Sequence, residues 1–228
     1  MIFPDYSLYL CTDKELMSSA TLEESVTDAI LGGVTCVQLR EKNCSSLQFY
    51  NEAKTIQEIT QAHHVPLIIN DRLDIALAVN ADGLHVGQDD LPAHKARELL
   101  GPNKILGVSV RTSKEAIAAE KAGADYLGVG AMFSTSTKTD AQIVSKEELL
   151  RIRESVNIPL ILIGGMNKQT IPEFLNYDIQ GFAVDPVFYL ISGTTDTEEV
   201  YFKVGRMNLI LDNLIAEGKA KEMIIVLP

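Results

Sequence analysis

Short apolar runs recur along the chain, and each gives way to a cluster of polar residues or glycines. Cys36–Leu39 leads into Arg40-Glu41-Lys42, residues 67–69 into Asn70-Asp71, and residues 84–86 into Gly87-Gln88-Asp89-Asp90. Residues 105–108 end at Ser109, residues 126–129 lead through Gly130 to the Ser/Thr-rich stretch 134–138, and residues 160–163 end at Gly164-Gly165. The runs are short and β-branched, as buried parallel strands are, and helical patterns separate them. After a first strand at 7–11, Thr21 reads as an N-cap with Glu24 as its capping-box partner, Val26, Ala29 and Ile30 form an apolar face, and Gly32-Gly33 closes the helix. Further helices are expected from Ser45 or Ser46 to Ala62, and over 71–79, 93–100, 113–122, 145–154 and 167–175, with a last strand near 181–184. About eight strand–helix units in one chain of this length favour a closed (β/α)8 barrel over an open doubly wound sheet.

Period-two alternation then sorts side chains. If Leu39 packs under the helices, Gln38, Arg40 and Lys42 face the barrel mouth. By the same count Ile68, Asn70, Gly83, His85, Gly87, Gly107, Ser109, Tyr126, Gly128 and Gly130 face inward. The inward positions near the rim are polar, or glycine, which is the pattern of a ligand site rather than of a bulky core layer.

Composition narrows the class. The chain has 228 residues, 46% of them hydrophobic, and no Pro/Gly/Ser-rich linker divides it, so a single domain over 1–228 is expected. An atypical extension begins at about residue 190, with a helix near 200–217 and an apolar end at 223–227. No run of about eighteen apolar residues suggests a membrane span, and no basic leader marks a signal peptide. The three cysteines, Cys11, Cys36 and Cys44, read as reduced thiols of a cytoplasmic protein. A net charge of −11 argues against nucleic acid or an anionic membrane as partner. It also requires that an anionic substrate be met by a few well-placed cations. The sequence permits a homo-oligomer without specifying one.

Arg40, Lys42 and Lys138 are such cations, a guanidinium fork and two point charges suited to phosphate oxygens. Asp71 and Asp90 end neighbouring strands. Mg2+ is typically held by one or two carboxylates together with water and substrate phosphate. The set describes a magnesium-bound diphosphate whose departure is eased by charge neutralisation. Gly164-Gly165 and the start of the segment after Gly181 suggest a second, single-phosphate site. Each feature has a plainer reading beside it: Asp71 as a helix cap, His85 as a satisfied rim histidine, the glycines as turn residues, Arg40 and Lys42 as solvated charge.

The motifs Gln38-Leu39-Arg40-Glu41-Lys42, Asn70-Asp71-Arg72, Gly83-Leu84-His85-Val86-Gly87-Gln88-Asp89-Asp90-Leu91-Pro92, Gly107-Val108-Ser109, the stretch 130–141 and Ile163-Gly164-Gly165-Met166 resemble, in order, those of thiamine phosphate synthases. The resemblance covers roughly residues 7–184. It implies a (β/α)8 transferase that joins hydroxymethylpyrimidine diphosphate to a thiazole phosphate and releases pyrophosphate, by a dissociative route. It implies that Gln38, Leu39, Arg40, Glu41, Lys42, Asn70, Ser109 and Lys138 hold the pyrimidine diphosphate, with His85 near the pyrimidine. It implies further that Asp71 and Asp90 bind Mg2+, and that Thr135, Ser136, Thr137 and the Gly165 backbone take the thiazole phosphate. Ser109, Lys138, Arg40 and Lys42 are the residues expected to act on the departing group.

One departure stands out. After Val184 the family usually continues Val-Ser, whose amides bind the thiazole phosphate, whereas this chain has Asp185-Pro186. Proline has no N–H, and losing one hydrogen bond to a charged group amounts to about 1–3 kcal/mol. Weaker thiazole phosphate binding is the expectation. Two other readings stand beside the synthase: a thiazole tautomerase-like isomerase of the same fold, and a paralogue that binds precursors without turnover.

Overall fold

The computed structural model describes residues 4–17, 19–133, 142–167 and 169–184. Eight parallel strands close into a barrel in sequence order: β1 (Leu8–Cys11), β2 (Cys36–Leu39), β3 (Leu67–Asn70), β4 (Gly83–Val86), β5 (Ile105–Val110), β6 (Tyr126–Val129), β7 (Leu160–Leu162) and β8 (Gly181–Val184), with β8 pairing back onto β1. The connecting helices are α1 (Leu22–Leu31), α2 (Ser46–Ala62), α3 (Leu73–Ala78), α4 (Ala93–Leu100), α5 (Ser113–Lys121) and α6 (Lys146–Ser155). The expected (β/α)8 barrel is therefore observed.

Local chemistry starts these helices where the sequence indicates. Thr21, Ser45, Thr112 and Ser145 each accept the backbone N–H of the residue three positions on. Ser45 and Gln48 complete a reciprocal capping box. Two expected helices differ. The one at 71–79 begins only at Leu73, because Asp71 sits in the left-handed region at φ 62° and lies outside it. The one at 167–175 shrinks to a 3-10 turn, Ile171–Phe174. There the Asn167 side chain accepts the N–H groups of Gln169 and Thr170, and Pro172 has no N–H to continue a longer helix. The segment expected as a helix near 200–217 and the apolar end 223–227 lie outside the described residues.

Two apolar layers result. Leu39, Leu67, Ile69, Leu84, Leu106 and Leu127 join Val26, Phe49, Ile56 and Leu149 between strands and helices. Tyr6, Tyr9, Cys11, Cys36, Ile68, Tyr126, Ile161 and Ala183 fill the barrel itself. Leu39 thus packs under the helices and Gln38 faces inward, as alternation requires.

The end of the barrel where strands begin is tied by a repeated contact. Thr35, Asp82, Asp125 and Gln180 each directly precede an even-numbered strand. Their side-chain oxygens accept the backbone N–H of Leu8, Leu67, Leu106 and Leu160 on the preceding odd-numbered strands, at 3.1, 2.8, 2.7 and 3.0 Å. A strand N–H at or next to the start of each odd-numbered strand is satisfied in this way. Two helices reinforce the belt. Arg97 of α4 bonds Asp125 at 2.5 Å and the carbonyls of Gly101, Lys104 and Gly123, and Arg153 of α6 bonds Gln180 at 3.1 Å with the carbonyls of Val156 and Ile158.

Candidate active site

The opposite end, where the strands finish, collects the expected charged residues. At the end of β2 the Arg40 backbone N–H donates to Thr12 Oγ1 at 2.9 Å, and its guanidinium pairs with Asp13 at 3.2 Å. Lys42 extends further and pairs with the Asp71 carboxylate. Asp71 is held by its own backbone N–H, which donates to the His85 carbonyl at 2.8 Å and ties the end of β3 to β4. The alternative reading of Asp71 as a helix cap does not describe this arrangement, because α3 has no side-chain cap and begins two residues later.

Asp90 closes a turn after β4, accepting the Gly87 N–H at 2.7 Å. Burial, and next the neighbouring Asp71 carboxyl to which it hydrogen-bonds, raises the Asp90 carboxyl above its usual range. Two carboxyl groups held this close repel when both are ionised, and a divalent cation relieves that repulsion. Among the described residues no group of three or more His, Cys, Asp or Glu converges as a self-sufficient metal site. The Asp71/Asp90 pair therefore fits an ion that keeps waters and shares ligands with a phosphate, as Mg2+ does.

The other expected residues separate into two groups. Gln38, Asn70 and His85 are buried at the inner face, and Ser109 is half-buried at the end of β5. Glu41 and Leu39 sit otherwise. Glu41 turns toward α2, where Lys14 bridges it at 3.1 Å and Glu52 at 2.5 Å. The Leu39 side chain belongs to the outer core, which leaves only its backbone for the mouth. Gly164 and Gly165 both have positive φ, at 90° and 69°, and a Cβ on either would lie under 3 Å from Ala131 or Phe133. Their conformation and close packing both require glycine. Thr135, Ser136, Thr137, Lys138, Asp185 and Pro186 lie outside the described residues.

The inner glycines at Gly83 and Gly107 correct an expectation. Alternation alone leaves room for a ligand at these positions, yet the barrel's own side chains occupy that room. A Cβ at Gly83 would strike Ile68 and Ile105, and one at Gly107 would strike Tyr126 and His85. Gly107 is the register partner of His85 on one side and of Tyr126 on the other, so those two side chains meet above it.

Sequence patterning also passed over several contacts. Tyr9 and Tyr126 join their hydroxyls at 2.7 Å inside the barrel, Asp13 holds Arg40, and the Gln88 amide donates to the Ser109 carbonyl at 2.6 Å. The inward phase of Tyr9 and Tyr126 was legible from period two, and their meeting was not. A cavity of about 840 Å3 opens at the far end, lined by Tyr6, Asp82, Lys104 and Asp125 among others. Asp82 and Asp125 there are engaged in the strand belt, and the chemistry of such barrels sits on the other rim.

Residues 8–185 match the family described as thiamine monophosphate synthase. A thiamine-phosphate synthase of Clostridium beijerinckii is 59% identical over 180 residues, covering 79% of this chain and 86% of that protein. One from Clostridium acetobutylicum is 49% identical over 204 residues, covering 90% and 97%. Among solved structures, thiamine phosphate pyrophosphorylase from Pyrococcus furiosus superposes with a TM-score of 0.73 at 37% identity, covering 93% of this chain and 98% of that one.

Proposed function

The chain belongs to the thiamine monophosphate synthase family, and from that premise we propose that the rim formed by Arg40, Lys42, Asp71, Asp90 and Ser109 is where its diphosphate substrate binds and breaks. The reaction is the condensation of 4-amino-2-methyl-5-hydroxymethylpyrimidine diphosphate with 4-methyl-5-hydroxyethylthiazole phosphate, giving thiamine phosphate and pyrophosphate. Both substrates are small molecules. Among the described residues no helix is long and apolar enough to cross a membrane.

The observation that carries the site is the convergence of two cations with two adjacent carboxyl groups at the strand ends. Arg40 and Lys42 take diphosphate oxygens, exchanging Asp13 and Asp71 for a more highly charged partner. Ser109 donates its hydroxyl to the same group. As the bond from the methylene carbon to the diphosphate oxygen breaks, negative charge grows on the departing oxygens, and these donors stabilise it more than they stabilise the bound substrate. Asp71 and Asp90 would hold Mg2+, which when bound would supply further charge neutralisation toward the leaving pyrophosphate. Gln38 and the tyrosines below it shield the pyrimidine-methyl cation from water until the thiazole nitrogen donates its lone pair. Lys138 completes the diphosphate grip, and Thr135, Ser136, Thr137 and Gly165 hold the thiazole phosphate. A cytoplasmic location belongs to the same proposal, in keeping with a biosynthetic reaction on small-molecule substrates.

Pyrophosphate release, followed across a magnesium titration, tests the assignment. Lys42→Ala is expected to lower kcat about a hundredfold or more. Asp71→Asn is expected to raise the magnesium concentration needed for half-maximal rate. An Asp71→Asn enzyme with the wild-type magnesium curve refutes the metal assignment, and a Lys42→Ala enzyme with wild-type kcat refutes the diphosphate site.

A further inference from the structure

A continuous line of hydrogen bonds crosses the barrel interior. Gln38 Nε2 lies 2.9 Å from Tyr9 Oη, and Tyr9 Oη lies 2.7 Å from Tyr126 Oη. Tyr126 Oη lies 2.9 Å from His85 Nδ1, and His85 Nε2 lies 2.9 Å from Ser109 Oγ. Five side chains from β1, β2, β4, β5 and β6 are thus joined, and the line ends at the rim where Ser109 faces the mouth. Tyr9 and Tyr126 are almost fully buried, and burial raises both phenols well above their ordinary pKa. Each therefore stays protonated and carries one hydrogen.

The chemistry of the first member orders the rest. An amide nitrogen only donates, so the Tyr9 oxygen accepts from Gln38, and its single buried hydrogen needs an acceptor, which the Tyr126 oxygen supplies at 2.7 Å. The Tyr126 oxygen is then an acceptor, and its own hydrogen goes to His85 Nδ1. With Nδ1 accepting, the neutral imidazole carries its proton on Nε2, and that proton goes to Ser109 Oγ. Ser109 has now accepted one hydrogen bond within the protein, and its own O–H is directed to the mouth.

We propose that Tyr126 is a positioning residue. It fixes the Nε2–H tautomer of His85, and His85 in turn aims the Ser109 hydroxyl, as a donor, at the diphosphate. The proposal rests on the reading that the diphosphate binds at this rim. It gives His85 a role that neither a satisfied rim histidine nor a pyrimidine contact describes. It also explains why β5 carries glycine at position 107, since any side chain there would part Tyr126 from His85. No proton is transferred: the line is a fixed polarity of donors, preorganised before substrate arrives.

Two measurements test this, one without turnover. In protein labelled with 15N at histidine, with the His85 signals assigned by their loss in His85→Asn, the wild type is expected to show Nε2–H and an acceptor Nδ1. Tyr126→Phe, which keeps the ring, is expected to let the Nδ1–H form appear and to lower kcat about ten- to a hundredfold, the range for removing a group that orients a direct ligand. The same substitution in a Ser109→Ala background is expected to lower kcat no further. Gln38→Glu supplies the independent arm. With its carboxylate ionised, as the infrared band reports, the first member becomes an acceptor and every bond reverses, so His85 is expected to switch to Nδ1–H. A wild-type Nδ1–H tautomer, an unchanged tautomer in Gln38→Glu, or additive losses in the double variant would overturn the proposal. If Ser109→Ala turns over at the wild-type rate, the diphosphate reading of Ser109 fails and the catalytic role falls with it. The tautomer measurement then still reports the polarity of the line separately.

Discussion

Replacing Gly107 by alanine adds one methyl group to the middle of β5 without changing backbone preference, since its φ is not in the left-handed region. The new Cβ would fall within the atoms of the Tyr126 phenol and 2.5 Å from His85 Nδ1. Carbon contacts are most favourable at about 3.5–4.0 Å, so one or both side chains must move by roughly 1 Å or more. Tyr126 has little room. Its ring lies against Tyr6 and Tyr9, at centroid distances of 4.9 and 5.9 Å. Overpacking of this kind costs about 1–3 kcal/mol, and parting Tyr126 from His85 leaves buried polar groups unsatisfied at about 1–3 kcal/mol more. The sum, about 2–6 kcal/mol, corresponds to a Tm lowered by roughly 4–24 °C for a chain of this size. Urea unfolding followed by circular dichroism measures it. Tyr126→Leu removes the clashing ring atoms, so the Gly107→Ala/Tyr126→Leu protein is expected to be more stable than the two single losses added together. A Gly107→Ala protein within about 0.5 kcal/mol of wild type, or strict additivity in the double variant, refutes the claim that Gly107 exists to let its neighbours meet.

Arg97→Ala is expected to destabilise by about 2–4 kcal/mol, because it removes a charged donor from Asp125 and three loop carbonyls together; a change in urea midpoint corresponding to less than about 0.5 kcal/mol contradicts the belt's role. Cys11 and Cys36 are buried and burial raises the Cys36 thiol well above its usual range, while Cys44 is half-buried. A disulfide reagent at pH 8 is therefore expected to label Cys44 alone in the native protein and all three thiols in urea, and rapid native labelling of Cys36 contradicts the packing. From the sequence departure after Val184, Asp185→Val with Pro186→Ser is expected to lower KM for the thiazole phosphate about tenfold, one hydrogen bond's worth, and steady-state kinetics with an unchanged KM rejects that placement of the phosphate.

The parts legible in the sequence were those set by neighbours along the chain. Thr21, Ser45 and Ser145 cap helices through contacts three residues away, and alternation placed Gln38, Asn70, His85 and Ser109 on the inner face within strands of four to six residues. What stayed hidden depends on register between strands. Gly107 looked like space for a ligand because its own strand says nothing of the side chains opposite. Only the pairing of β5 with both β4 and β6 sets His85 and Tyr126 on either side of it. The helix expected at 167–175 failed for a different reason: Asn167 and Pro172 are individually tolerable near a helix start, and together they leave only a single tight turn.

The belt at the far end follows the same logic more sharply. No repeat is visible among Thr35, Asp82, Asp125 and Gln180 as letters, because a hydroxyl, two carboxylates and an amide do not reduce to one residue type. They share a position, the residue before each even-numbered strand, and a function, an oxygen that accepts a strand N–H. A fourfold arrangement can thus persist in geometry after it has vanished from identity. The constraint on each position is then an acceptor of suitable reach. Asp82→Asn keeps an amide oxygen for the Leu67 N–H and is expected to hold most of the stability that Asp82→Ala loses, with the gap in urea midpoints equal to about one buried hydrogen bond, roughly 1–3 kcal/mol. Equal losses in the two variants would mean that charge, rather than the accepting oxygen, is what the belt requires.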